Sequence, residues 1–334
     1  MTTKQLAFKS LPQLAIAEGA TTPSPGATAN GVWAWSTTLS KPLYWTGTSW
    51  TAGSPDPLEL STSNPAAPAA GKVRVFGRNV GGRIMPAFKG PSGLDSSLQA
   101  SLARNRIAWA NPLGGGSTIA TSAITLAATG SFIAEGVATT NLYTAMKRAV
   151  VTAAVSTTAV AGLRSTFTQY FRGALGGKIG GFHFVCRFGP ATGQSIQTTR
   201  RGFCGFTSLF AASTDVNPST LPHVLGVGCD AIDANYFIMH RTGTLAVTKI
   251  DTGISKSAAD ASKVYELAMF CAPGSSTVEF EFTDLTTDVV FRHTANTNLP
   301  SPDALLGPQV YYSVGGISGP VGTALMSMYI ETDY

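Results

Sequence analysis

The chain has 334 residues, of which 44% are hydrophobic and only 12% charged, with a formal charge of +5 and a pI near 9.0. An average soluble domain carries about 25% charged residues, so Ser, Thr, Ala and Gly fill a surface that suits a subunit of an assembly better than a cytosolic enzyme. No run of about 18 uninterrupted apolar residues is present, so no membrane-spanning helix is expected, and the positive charges are too scattered to form the aromatic-flanked stripe that nucleic-acid binding needs.

Residues 1–26 start polar, and the short apolar run at 11–17 is too interrupted for a secretion signal. The protein is therefore expected to be made in a cytoplasm and not secreted. Residues 32–50 hold Trp33, Trp35, Trp45 and Trp50, four of the five tryptophans. Val32-Trp33-Ala34-Trp35 and Pro42-Leu43-Tyr44-Trp45 read as strands, and Thr46-Gly47-Thr48-Ser49 as a turn before Trp50, which predicts a hairpin. A hairpin cannot bury four indoles by itself. Residues 1–56 are thus expected to form an attachment module, with the four tryptophans docking on a partner. The Pro/Ala-rich residues 57–71 read as an extended linker.

Residues 72–165 are expected to form a small α/β shoulder. Val73 to Phe76 alternate as a strand, and the glycines of Gly77-Arg78-Asn79-Val80-Gly81-Gly82-Arg83 read as a tight turn or bulge, since no Lys-Ser/Thr follows them to hold a phosphate. Leu94, Leu98 and Leu102 recur every fourth residue and predict a helix over 91–106. Weak strands at 119–126 and 131–134, a short helix within 140–148 and a strand in 150–161 complete this part.

Residues 166–334 read as an antiparallel β-sandwich of jelly-roll or lectin-like type. In Val278-Glu279-Phe280-Glu281-Phe282 apolar and acidic residues alternate strictly, and a turn-like gap leads to a second strand ending at Arg292, giving a hairpin. Phe182, Phe184, Cys186 and Phe188 share one face, with His183, Val185 and Arg187 on the other. Further strands are read at 202–210, 223–229, 235–241, 245–250, 264–271, 308–314 and 324–331. Strand 264–271, apolar on both faces, is expected at the centre of a sheet or against another subunit. Cys186, Cys204, Cys229 and Cys271 have no paired spacing and read as buried thiols, with no metal site.

None of the four histidines lies in a catalytic motif and the carboxylates are sparse, so neither a catalytic residue nor a cofactor is assigned. Asp230, Asp233, Asn235, Tyr236 and His240 cluster at one strand–turn–strand junction, and Tyr311 and Tyr312 lie on a second strand, with one of the pair expected to face outward. Planar polar side chains beside an aromatic ring are what sugar recognition requires. Asp230, Asp233, Asn235, Tyr236, His240 and Tyr311 are therefore the candidate receptor contacts.

Several stretches together carry a family resemblance: Val32 to Trp45, Val75-Phe76-Gly77-Arg78-Asn79-Val80-Gly81-Gly82-Arg83, Gly90-Pro91-Ser92-Gly93-Leu94-Asp95, Gly180-Gly181-Phe182-His183, Tyr265-Glu266-Leu267-Ala268-Met269-Phe270 and Tyr329-Ile330-Glu331-Thr332-Asp333-Tyr334. From about residue 30 onward the chain resembles tail fibre or receptor-binding proteins of tailed bacteriophages. The resemblance implies a homotrimer in the phage tail, assembled in the bacterial cytoplasm and docked by its N-terminus on other tail or baseplate proteins. Its β-rich part would face a host glycan or protein receptor, with no catalytic motif, no nucleic acid and no membrane insertion. The alternatives are a purely structural virion component and a tail-borne polysaccharide depolymerase, the latter disfavoured by the lack of an internal repeat.

Overall fold

The computed structural model describes residues 62–89, 107–173, 180–191, 198–256 and 262–332 in full, and the backbone of short strands elsewhere. The chain divides into two compact units, Met1–Ser61 and Thr62–Tyr334. In the first, Trp33–Ser36, Lys41–Trp45 and Trp50–Ala52 pair in antiparallel succession, extended by Leu14–Ala15 and Gln5–Leu6. The expected hairpin is therefore present, with Trp45 opposite Trp50. The side chains of the four tryptophans lie outside the described residues.

The second unit is an antiparallel β-sandwich with a small three-stranded sheet on its outside. The larger sheet runs Ile119–Ser122, Asn105–Pro112, Gly319–Asp333, Gly180–Pro190, Tyr265–Cys271, Val278–Asp284, Val289–Ala295. The smaller runs Leu126–Thr129, Val160–Ser165, Gly307–Ser313, Arg201–Thr207, Leu225–Cys229, Asn235–His240, Thr248–Ser255. Gly319–Asp333 is the spine. Gly180–Pro190 pairs along one edge of it, while Ala149–Ser156 and then Asn105–Pro112 share the other. The strands between 105 and 165 are thus woven into both sheets, and no boundary separates them from residues 166–334.

Alternation explains the core. Phe182, Phe184, Cys186 and Phe188 turn inward from the larger sheet, as the sequence implies, and meet Phe206 and Tyr312 of the smaller. Phe182 and Phe184 each place their ring centroid 4.9 Å from that of Phe206, within the range where aromatic pairs add to simple burial. Tyr236, Tyr265 and Phe282 form a second aromatic group across the sheets. All four cysteines are free and buried. Burial pushes the Cys229 thiol up to about 11, so this interior holds a thiol and not a thiolate.

The outer faces are also covered. The hairpin of Arg74–Val80 and Arg83–Lys89 lays Val80 and Met85 on Ala268 and Val185 of the larger sheet. This accounts for the strand at 265–271 being apolar on both faces: it is central and roofed. The turn Gly81-Gly82 has φ of 57° and 86°, the left-handed conformation a two-residue hairpin requires. A Cβ on Gly82 would lie 2.1 Å from the Glu279 side chain, so the turn sits hard against the sheet. Leu221 and Val224 cover Phe203 and Tyr311 on the smaller sheet.

Of the helix expected over 91–106, Asp95–Ser97 and the residues from Asn105 onward are strand, and Leu94, Leu98 and Leu102 lie outside the described residues. Asp95–Ser97 pairs with Arg83–Lys89, and Asn105–Pro112 pairs with the spine. The segment between these strands lies outside the described residues. The short helix within 140–148 is present as Leu142–Ala145, with Asn141 and Thr144 forming a reciprocal cap.

The hydroxyls of Tyr236 and Tyr312 lie 2.9 Å apart in the core, one from each strand group of the smaller sheet. Tyr236→Phe or Tyr312→Phe leaves the other hydroxyl buried without this partner, at a cost of about 1–3 kcal/mol each. The double variant should lose less than the sum of the two. Urea unfolding of the three variants measures this; simple additivity would show that the bond contributes nothing.

Candidate functional site

The expected receptor cluster is mostly sealed. Tyr236 and Tyr311 are 0% and 1% exposed and His240 is 2% exposed. Both faces of strand Gly307–Ser313 are covered, so neither Tyr311 nor Tyr312 faces outward. Asp230 and Asp233 are held by one cation: Lys249 Nζ lies 2.9 Å from Asp230 and 2.5 Å from Asp233. The backbone N–H groups of Ser219 and Asp230 donate to the two carboxylates as well. Asn235 donates to Asp251. This junction is a self-satisfied turn, and its tyrosines and His240 belong to the interior. Among the described residues no group of three or more His, Cys, Asp and Glu side chains is placed to hold a metal ion.

A better site lies on the outer face of the larger sheet. Register places Glu331, His183 and Phe270 opposite one another on three neighbouring strands, so their side chains form one row across the pleat. The Gly81-Gly82 turn delivers Arg83 above this row. Its guanidinium grips Glu331 with two hydrogen bonds, Nη1 to Oε2 at 2.6 Å and Nη2 to Oε1 at 3.2 Å. The same Nη1 lies 3.4 Å from His183 Nδ1, and the guanidinium carbon 5.9 Å from the centre of the Phe270 ring. Tyr329 donates its hydroxyl to Glu331 Oε2 at 3.0 Å.

A cavity of about 120 Å³ opens beside the row, lined by Arg83, His183, Phe270, Glu331, Thr332 and Pro273, with Cys271 and Phe182 below. The tautomer of His183 follows from chemistry. Arginine can only donate, so Nδ1 accepts and the proton sits on Nε2. Nε2 makes no hydrogen bond of good geometry, although the Val80 backbone interacts with the ring. Burial chiefly, aided by the Arg83 charge and opposed by Glu331, lowers the His183 pKa to about 4. Burial likewise pushes the Cys271 thiol up to about 11, against the pull of Arg172, and that thiol donates to the Ala272 carbonyl. At neutral pH the cavity therefore presents a neutral imidazole, an unionised thiol and a guanidinium already paired with a carboxylate. These groups donate hydrogen bonds and stack. With Nδ1 engaged, His183 is not poised as a general base.

The sequence placed His183 on the face opposite Phe182 and Phe184, but singled out neither it nor Arg83, Phe270 or Glu331. A histidine and a glutamate on outward positions of two strands were the available signal; that these strands are neighbours was not.

No family model and no curated protein matches the chain. Among solved structures, a protein of unknown function from Shewanella oneidensis MR-1 is 14% identical over 71% of this chain and 90% of its own, with a TM-score of 0.46. Peanut lectin is 8% identical over 69% of this chain and 98% of its own, TM-score 0.44. A carbohydrate esterase of the Shiga toxin-encoding bacteriophage phi24B is 14% identical over 63% and 90%, TM-score 0.35. At these values the likeness is one of β-architecture and says nothing of activity.

His183 yields a pH prediction. Its folded pKa lies below the ordinary 6.5, so the neutral form is favoured in the fold. The stability tied to it is full above about pH 6.5 and is lost as pH falls toward about 4, by ~3 kcal/mol in all. His240 and His293 are also lowered by burial and are common to wild type and variant, so the difference isolates His183. Wild type should lose more stability than His183→Gln between pH 7 and pH 4 in parallel urea titrations; equal losses would mean that the ring is not buried neutral.

Proposed function

We propose that the protein is a non-catalytic tail component of a bacteriophage that binds a host-surface glycan in the cavity between Arg83, His183 and Phe270. The observation that carries this reading is that cavity: an aromatic ring, a guanidinium and a neutral imidazole converge on the outside of a rigid sheet. Sugars are held by such a platform and by directional hydrogen bonds, with little need for net charge. The resemblance of Val75 to Arg83, Gly180 to His183 and Tyr329 to Tyr334 to phage tail proteins supports the virion setting, and these three stretches supply Arg83, His183 and Glu331 in turn. Adsorption of the purified chain to host cells should fall at least tenfold in Arg83→Gln and in Phe270→Ala, with far-UV circular dichroism unchanged. Undiminished adsorption would move the receptor surface elsewhere.

In this reading the chain works as a homotrimer docked on the tail by residues 1–61. Low charge and the tryptophan-rich N-terminal sheet support it. A chain truncated to residues 62–334 should scatter light as a trimer and fail to enter particles. A monomer mass overturns the trimer, and normal incorporation overturns the docking role.

A further inference from the structure

The contents of the cavity restrict what part of a glycan it takes. This inference rests on the glycan-binding reading. The cavity, about 120 Å³, has room for a substituent of a sugar. The walls divide by chemistry. Phe270 and Pro273 are apolar and suit a methyl group. Arg83 has five N–H groups; two on Nη1 and one on Nη2 meet Glu331 and His183, which leaves Nε–H and the second Nη2–H for an acceptor. Thr332 Oγ1 is spent on the Gly181 carbonyl in a buried hydrogen bond. Glu331, 3% exposed, already balances the Arg83 charge, and a second carboxylate brought beside it would be repelled.

We propose that the cavity recognises the acetamido group of an N-acetylated sugar. The methyl rests on Phe270 and Pro273. The carbonyl oxygen accepts from Arg83. The sugar ring stays outside, over the sheet. A bare hydroxyl would leave the apolar wall empty, and a uronate would place a charge against Glu331.

Saturation-transfer NMR on the full chain tests this with three probes: the methyl glycosides of N-acetylglucosamine, glucose and glucuronic acid. The N-acetyl glycoside should bind with its strongest saturation at the acetyl methyl, and the other two at least tenfold more weakly. Phe270→Ala and Arg83→Gln should each weaken it at least tenfold; the second variant serves should the first fail to fold. Tighter binding of the glucuronide overturns the proposal in favour of an anion site. Binding unaffected by either folded variant overturns it by placing the sugar elsewhere. If none of the probes binds while cell adsorption still depends on Arg83 and Phe270, the acetamido assignment falls and the glycan reading stands; if adsorption is independent of both residues, both fall.

Discussion

The outer site depends on one irregularity in the spine strand. In Gly319–Asp333, Val321 and Leu325 point into the core, both odd positions. Further on, Met328 and Ile330 do so, both even. The parity changes at Met326, where the pairing with Gly180–Pro190 steps from Leu325 to Ser327. One extra residue in a strand shifts every later side chain to the other face. Without it Tyr329 and Glu331 would point between the sheets, and an unpaired carboxylate there would cost several kcal/mol. The bulged Met326 itself is buried on the outer side with Ala324, Val150 and Tyr143, beneath the short helix Leu142–Ala145.

That shift gives the hairpin at 74–89 something to close on. Val80 and Met85 supply the apolar contact, and the two positive-φ glycines let the turn reach the sheet where a side chain could not fit. Arg83 then meets a carboxylate that is almost fully buried while it remains a quarter exposed. A pair of this kind adds little net stability against an apolar replacement, but losing one partner is costly. Its role is therefore specificity of placement: it fixes the guanidinium over the row and, through His183 Nδ1, fixes which imidazole nitrogen carries the proton. Packing and protonation are set by the same contact.

The strands were legible because period-2 alternation is local. Phe182 to Phe188 and Val278 to Phe282 declared their faces, and the glycines at 81 and 82 declared a turn. The helix expected over 91–106 rested on leucine spacing, which is local too and does not report the pairing of Asp95–Ser97 with Arg83–Lys89. The burial of Tyr236 and Tyr311 was not legible for a different reason. Alternation distinguishes two faces but does not say that both are covered, and the cover over Tyr311 comes from Leu221 and Val224. Asp230 and Asp233 were readable as a turn; Lys249, which neutralises them from the next strand, was not. The candidate site needed the bulge and the strand order together, and neither has a sequence signature here.

Among the described residues, many of the sparse charges are engaged by an opposite charge or by backbone carbonyls. Arg148 is 3% exposed and is spent on Glu135 and four backbone carbonyls. Arg201 is held by Asp215, Lys263 by Asp284 and Lys249 by two aspartates. Lys256 is buried on three carbonyls, and Arg200 lies over the Tyr312 ring. Charges paired with an opposite charge project less field, and long-range steering of a charged partner needs a strong one. What the molecule offers a partner is shape, hydroxyl groups and oriented donors. Such contacts act at hydrogen-bond range and are insensitive to screening by salt, unlike those of a surface that works through net charge.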